Sequence, residues 1–332
     1  MYTGSAPAKA ILLGEHFVLH GAPALAVPVQ SLSLKVMLEE TTDQEPLPGH
    51  LGFCFWAARE IFDRDCSVPF SVQVKSTIPE GAGLGSSAAL SVAMARAVAK
   101  AFRTPTDSAT LREVSMACER QAHGRPSGID TEVCLLERPV WAVPGAPFEA
   151  LEGEALGRIG LIVLDSGPGG ATAQMIRGVS GFREANPERF QILTAETRNR
   201  SSKACEALVS GDVDTLGTLL NDQHEALREI GVSTEGLDRV VACARDLGAA
   251  GAKLSGAGGG GVAVAVAPVE GVRDLAARLR KEGCQVLSAG PMGEAPAPGV
   301  STPEVPAPKS PTPEAPAPES PTPEAPAPRR PG

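Results

Sequence analysis

The stretch that most restricts how this 332-residue chain folds is Ile78 to Leu90, which reads Ile-Pro-Glu-Gly-Ala-Gly-Leu-Gly-Ser-Ser-Ala-Ala-Leu. Gly81, Gly83 and Gly85 permit positive φ and close approach to a ligand, and Ser86 or Ser87 supplies the cap of a helix over about Ala88 to Phe102. A helix start offers unpaired N–H donors and a partial positive charge, so a glycine loop leading into one suits an anion. The spacing is neither a P-loop, which needs Lys-Ser/Thr after the last glycine, nor a dinucleotide fingerprint. A tight turn before a core helix is the plainer alternative.

The remaining sequence favours small-molecule work. Hydrophobic residues make up 42%, enough for the cores of about two domains. A net charge of -9 without a Lys/Arg stripe argues against a nucleic-acid surface. Seven cysteines, Cys54, Cys66, Cys118, Cys134, Cys205, Cys243 and Cys284, contain no C-x-x-C pair, and their odd number suits reduced thiols and a cytoplasmic location. The N-terminal residues lack a signal-peptide pattern, and the longest apolar run, Gly261 to Val269, is too short to span a bilayer, so no membrane role is expected.

Apolar runs at Ala8 to Leu13 and Ala22 to Val29 read as two strands around a loop that carries Glu15, His16 and His20, with Lys9 on the first strand. Lys9 is either a snorkelling strand lysine or a group aimed at a ligand, and the histidines are either surface residues or contacts. Ser33 to Glu40 and Phe70 to Thr77 alternate as strands, and His50 to Phe62 reads as a helix. A helix over Thr106 to Gln121, capped by Thr106 or Asp107, carries Glu119 near its C-terminal end. The macrodipole disfavours a carboxylate there, so Glu119 needs a cation: a metal, or Arg120 or Arg125. Asp130, after Ser-Gly-Ile, is either a turn former or a positioned carboxylate.

Ile159 to Asp165 reads as a buried strand, and Gly167 to Gly170 as a turn that Ala171 and Thr172 lead into a helix. Helices at about Glu188 to Val209, Val213 to Glu229, Glu235 to Leu247 and Val272 to Glu282 follow, with a hairpin over Ala252 to Val266 and a last strand over Gln285 to Ala289. From Glu294 a ten-residue period, seen from Ser310 and again from Ser320, alternates prolines and builds no core. It is expected to form a disordered, semi-rigid extension, either without function or a ligand for a proline-binding groove of unknown identity.

Three stretches together resemble the motifs of the GHMP small-molecule kinases. They are Pro7 to Gly21 with Gly-Glu-His-x-Val-x-His-Gly, the Gly83 to Ala88 loop, and Lys253 to Gly261; Glu119 to Asp130 supports them with Glu-Arg-x-x-His-Gly-x-Pro-Ser-Gly-Ile-Asp. The resemblance covers about Ala6 to Met292 and is closest to the branch that phosphorylates mevalonate. It implies an α+β, two-domain fold: a ribosomal protein S5 domain 2-like N-terminal domain over residues 1–164, a ferredoxin-like C-terminal domain over 165–293, and the tail over 294–332. It also implies ATP-dependent phosphorylation of the C5 hydroxyl of (R)-mevalonate, with Mg²⁺.

By motif position, Gly81, Ala82, Gly83, Leu84, Gly85, Ser86 and Ser87 wrap the ATP phosphates, and Ser87 and Glu119 hold Mg²⁺. Asp130 takes the acceptor proton beside Lys9, whereas Glu15, His16, Thr172 and Gly256 lie at the substrate. Family habit admits a homodimer. The chain departs from the pattern at Ala171, commonly Ser, and at Leu90, commonly aromatic. The rival readings are a GHMP kinase for phosphomevalonate or a sugar, and a non-catalytic binding protein that works through its tail. Ending the chain at Gly293 is expected to leave the steady-state rate of ADP release unchanged, which a coupled assay on both forms measures; a large loss would give the tail a part in turnover.

Overall fold

The computed structural model describes residues 1–43, 45–62, 68–104, 107–124, 126–170 and 172–292. The proline-rich tail, Cys66, Thr106, Arg125 and Ala171 lie outside them.

The chain opens with β1 (Tyr2–Leu13), a short 3-10 turn (Phe17–His20) and β2 (Ala24–Glu40). Ala22 to Val29 and Ser33 to Glu40, expected as separate strands, thus merge into one 17-residue strand. β2 pairs antiparallel with β1, with a register shift between Pro7 and Ala8. Where Lys9 faces Pro28, the Lys9 N–H donates to Leu84 O at 3.0 Å, outside that ladder, so Pro28 sits where no donor is asked of it. Helix α1 (Gly49–Phe62), strand β3 (Phe70–Ser76) and helices α2 (Ser86–Ala101), α3 (Ser108–His123) and α4 (Ile129–Leu136) follow. Short strands β4 (Val140–Ala142) and β5 (Glu149–Ala150) complete the first sheet, in which β1, β2, β4 and β5 are neighbours in that order and β3 also pairs with β2.

Helix α2 lies across β1 at unusually short range, because both surfaces are built from small residues. Ala6, Ala8 and Ala10 face a helix carrying Ala88, Ala89, Ala93, Ala97 and Ala99, all buried. A Cβ at Gly4 would stand 2.0 Å from Ala93 O and 2.6 Å from Ala97 N. This close approach delivers the N-terminus of α2 to Lys9.

Strand β6 (Ile159–Asp165), helices α5 (Thr172–Ala185), α6 (Pro187–Ser210), α7 (Val213–Glu229) and α8 (Glu235–Asp246), hairpin strands β7 (Gly251–Ser255) and β8 (Val262–Pro268), α9 (Val272–Lys281) and β9 (Gln285–Pro291) form the rest. The second sheet is antiparallel throughout, with the order β7-β8-β6-β9. All of β6 belongs to it, so the change of sheet comes before Ile159 and ahead of the 164/165 boundary expected from the sequence. One face of β6 and β8 (Leu161, Val163, Val264, Val266) joins the core that contains β1 and α2. The other face (Ile162, Leu164, Ala263, Ala265) is covered with α8 and α9. Burial on both faces explains why these strands read as continuous apolar runs rather than alternating ones.

His224 of α7 is buried between β7 and α8, its Nε2 3.2 Å from Asp238 and its Nδ1 accepting from the Leu254 N–H at 3.4 Å. Desolvation, helped by Arg245 and opposed by Asp238, lowers its pKa to about 4. The unfolded ring protonates near 6.5, so only the unfolded state gains a proton as pH falls from there. Stability is therefore expected to be flat above pH 6.5 and to drop by up to roughly 3 kcal/mol toward pH 4. Thermal melts across that range check this, and His224→Gln should flatten the decline.

Candidate active site

The expected glycine conformations are present: Gly81, Gly83 and Gly85 have φ of 68°, 78° and 74°. The loop between them alternates, with Gly81 and Gly83 exposed and Ala82 and Leu84 buried. The side chains of Ala82 and Leu84 are part of the core, so any contact these two residues make with a ligand comes from their backbone. The cap of α2 is the left-handed Gly85, and neither Ser86 nor Ser87 caps it as expected; both lie in its first turn. That frees the serine hydroxyls. Ser87 Oγ donates to Glu119 Oε1 at 2.5 Å and stands 3.2 Å from His50 Nε2.

Glu119 is buried in α3 and also accepts from Ser91 Oγ at 3.4 Å. It does not lie at the surface beside Arg120, and the structure places it against the start of α2 instead. His50 is held through Nδ1 by Gln121 Oε1 at 3.1 Å.

Asp130 lies in the first turn of α4, whose cap is Gly128, so it is neither a cap nor a turn former but a carboxylate favoured by the helix dipole. Its Oδ2 is 3.0 Å from Lys9 Nζ. The partners differ in access: the Lys9 side chain is 4% exposed and that of Asp130 38%. The Lys9 stem runs past Gly85, where an added Cβ would meet its Cγ at 2.8 Å and its Cε at 3.0 Å. Lys9, Asp130 and the N-terminus of α2 are therefore one cluster. Arg112 braces α4 with a two-pronged ion pair to the buried Glu132, at 2.7 Å through Nε.

Glycine backbone closes the other side. Added Cβ atoms would meet Gly81 O at 2.8 Å from Gly169, Ala82 O at 3.0 Å from Gly261 and Gly83 O at 3.5 Å from Gly256. The phosphate-type loop, the Gly167 to Gly170 turn and the Gly256 to Gly261 bend thus meet along a seam that side chains would wedge apart.

The chain is similar to known proteins over most of its length. Models of the GHMP kinases N terminal domain and of the GHMP kinases C terminal match residues 53–138 and 204–284. A mevalonate kinase of Aeropyrum pernix is 32% identical over 290 residues, covering 78% of this chain and 86% of that protein. One from Pyrococcus abyssi is 30% identical over 327 residues, covering 85% and 96%. The crystal structure of L. major mevalonate kinase in complex with R-mevalonate superposes with a TM-score of 0.75 at 27% identity, covering 85% of this chain and 92% of that one. The chain belongs to the GHMP kinases, in the mevalonate kinase family.

In this kinase Glu15, expected at the substrate, lies within the wall of the site. It is 3% exposed, and Oε1 is ion-paired to the fully buried Lys253 Nζ of β7. Two opposite charges taken out of water need each other, which fixes Glu15 on the wall. Burial pulls the Lys253 pKa below the usual lysine range and the Glu15 carboxylate opposes it. His16 takes a positive φ of 58° and its Nε2 stands 2.9 Å from Ala257 O, tying the loop after β1 to the glycine bend. Desolvation lowers its pKa, which favours the neutral ring donating that bond. Thr172 is exposed at the first residue of α5, just beyond the Gly167 to Gly170 turn.

Lys253, Ser255 and His50 are what sequence reasoning missed. Ser255 Oγ accepts from Ile11 N at 2.8 Å and donates to Ile11 O at 3.0 Å, joining β7 to β1. A lysine in the middle of an apolar strand was the visible signal for Lys253. Lys253→Met leaves the Glu15 carboxylate buried without its cation and is expected to destabilise the fold by about 3–5 kcal/mol in urea unfolding. Adding Glu15→Gln should recover most of that loss.

Proposed function

We propose that this kinase transfers the γ-phosphoryl group of ATP to the C5 hydroxyl of (R)-mevalonate, giving 5-phosphomevalonate and ADP. The observation that carries the reading is the Lys9–Asp130 pair at 3.0 Å, beside the glycine-capped start of α2, in a chain about 30% identical to named mevalonate kinases. Phosphoryl transfer needs in-line placement and charge neutralisation more than covalent help. The Gly81 to Ser87 loop and the first turn of α2 supply N–H donors and the helix dipole to the ATP phosphates. Asp130 is the half-exposed member of its pair, so it can reach the acceptor hydroxyl and take or orient its proton. Lys9, buried behind Gly85, lies 3.0 Å from the Asp130 carboxylate and opposes negative charge in the transition state. His16, Thr172 and Gly256 shape the acceptor side, and Glu15 braces it from within the wall.

Ser87 and Glu119 fit Mg²⁺. They are adjacent hard oxygen donors, one of them anionic, at the helix start where phosphates are expected. No cluster of three or more His, Cys, Asp or Glu that could hold a metal occurs among the described residues, which suits an ion that takes its other ligands from phosphate and water. When bound, the ion supplies charge neutralisation between the β- and γ-phosphates.

ADP release with Mg-ATP and mevalonate, phosphomevalonate, galactose or homoserine tests the acceptor; turnover is expected with mevalonate alone, and turnover confined to another alcohol would overturn the reading. Asp130→Asn is expected to retain ATP binding and lower kcat by about 10²–10⁴-fold. Near-normal kcat would remove Asp130 from the chemistry.

A further inference from the structure

A second concave site lies away from the Lys9–Asp130 cluster. It is a cleft of about 500 Å³ between the C-terminal end of α5, the first half of α6 and the 3-10 turn, lined by His20, Arg183, Pro187, Phe190, Thr194 and Arg198 among others. Arg183 lies eleven positions along α5 from Thr172, or about 16 Å at the helical rise, so the cleft is not an extension of the acceptor pocket.

Its electrostatics lack a counter-charge. Arg183 Nη1 stands 3.4 Å from His20 Nδ1, an approach of one cationic group to another that can become cationic. Arg198 donates to the Gly21 carbonyl at 3.1 Å. Neither arginine has an ion-pair partner among the described residues, whereas the neighbouring Arg189 and Arg200 of α6 are paired to Glu229 and Glu196. The floor is apolar. Phe190 is buried, its ring stacked on Phe17 at 5.6 Å and met edge-on by His20 at 4.9 Å, and Pro187 and Ala195 extend this surface. The Thr194 hydroxyl is already committed to Phe190 O at 2.8 Å, so it adds little polarity. Two arginine forks over an aromatic and aliphatic floor match a phosphate group on a short apolar body.

We propose that this cleft is a second ligand site of the kinase, binding a small phosphorylated molecule with an apolar body between Arg183, Arg198, His20 and Phe190. The phosphate lies between the two guanidinium groups and His20, and the apolar part covers Phe190 and Pro187. Burial and the nearby Arg183 lower the His20 pKa in the free protein, with His16 adding to the effect. A dianion in the cleft offsets Arg183 and raises it.

The test uses the full chain with ¹³C-labelled histidine, saturated with Mg-ADP so that phosphate binding at the nucleotide loop is already satisfied. His20→Gln assigns the ring signal, and n-pentyl phosphate, inorganic phosphate and n-pentanol are the probes. Pentyl phosphate is expected to move the pH at which His20 titrates upward by about one pH unit. It should bind at least tenfold tighter than inorganic phosphate, with pentanol without effect. Arg183→Gln and Arg198→Gln, singly or together, should weaken it at least tenfold while kcat with mevalonate stays unchanged. Both side chains are exposed, so these variants are expected to fold. An unmoved His20 signal, a response that survives both substitutions, or equal binding of inorganic and pentyl phosphate would each overturn the proposal.

Discussion

The closeness of α2 to β1 is the constraint on which the rest of the site depends. A helix normally stands off a sheet by the bulk of its own side chains, and here glycine and alanine on both surfaces remove that bulk. The helix start therefore descends onto Lys9 until Gly85 has room for no side chain, and the ammonium group emerges beside Asp130. The glycine-capped helix start and the Lys9–Asp130 pair are brought together by packing volume, with the Lys9 N–H to Leu84 O bond beside them. A larger residue at Gly4 would lift the helix and separate them, although it touches neither.

A second constraint joins the two sheets. Where the loops meet, contact is made by backbone, through Gly81 to Gly83 against Gly169, Gly256 and Gly261. Gly170 N donates to Gly259 O at 2.9 Å and Gly261 N to Gly167 O at 3.0 Å. Such a seam has little side-chain entropy to lose, and it is buttressed by the Glu15–Lys253 pair, the Ser255–Ile11 bonds and the His16 contact to Ala257. The desolvation cost of the buried pair is of the same order as its attraction, so removing one partner costs more than the intact pair contributes.

Much of this was legible in the sequence because it rests on local chemistry. Positive φ at Gly81, Gly83 and Gly85, the Asp107 cap of α3, and α7 over Val213–Glu229 follow from glycine content, a short acceptor side chain and periodicity. The cap of α2 was misassigned because serine and glycine compete for that position, and a left-handed residue after Gly-Leu selects glycine. The Glu15–Lys253 pair was hidden for a different reason. A carboxylate in a polar loop looks solvent-directed until the strand carrying Lys253, more than two hundred residues later, is laid against it. The sheet that β6 joins was not legible, because the strand is apolar on both faces and carries no mark of its neighbours.

The cleft at Arg183 was beyond sequence reasoning altogether, since His20, Arg183 and Arg198 look unrelated until the 3-10 turn is packed on α6. That packing has a consequence for the active site. Phe17 is stacked on Phe190, the floor of the cleft, and is the residue next to His16. His16 takes a positive φ of 58°, uncommon for a residue with a side chain, and its ring bonds the glycine bend. The aromatic floor of the outer cleft and the loop that carries His16 therefore share one short segment, Phe17 packing on the floor and His16 bonding the glycine bend.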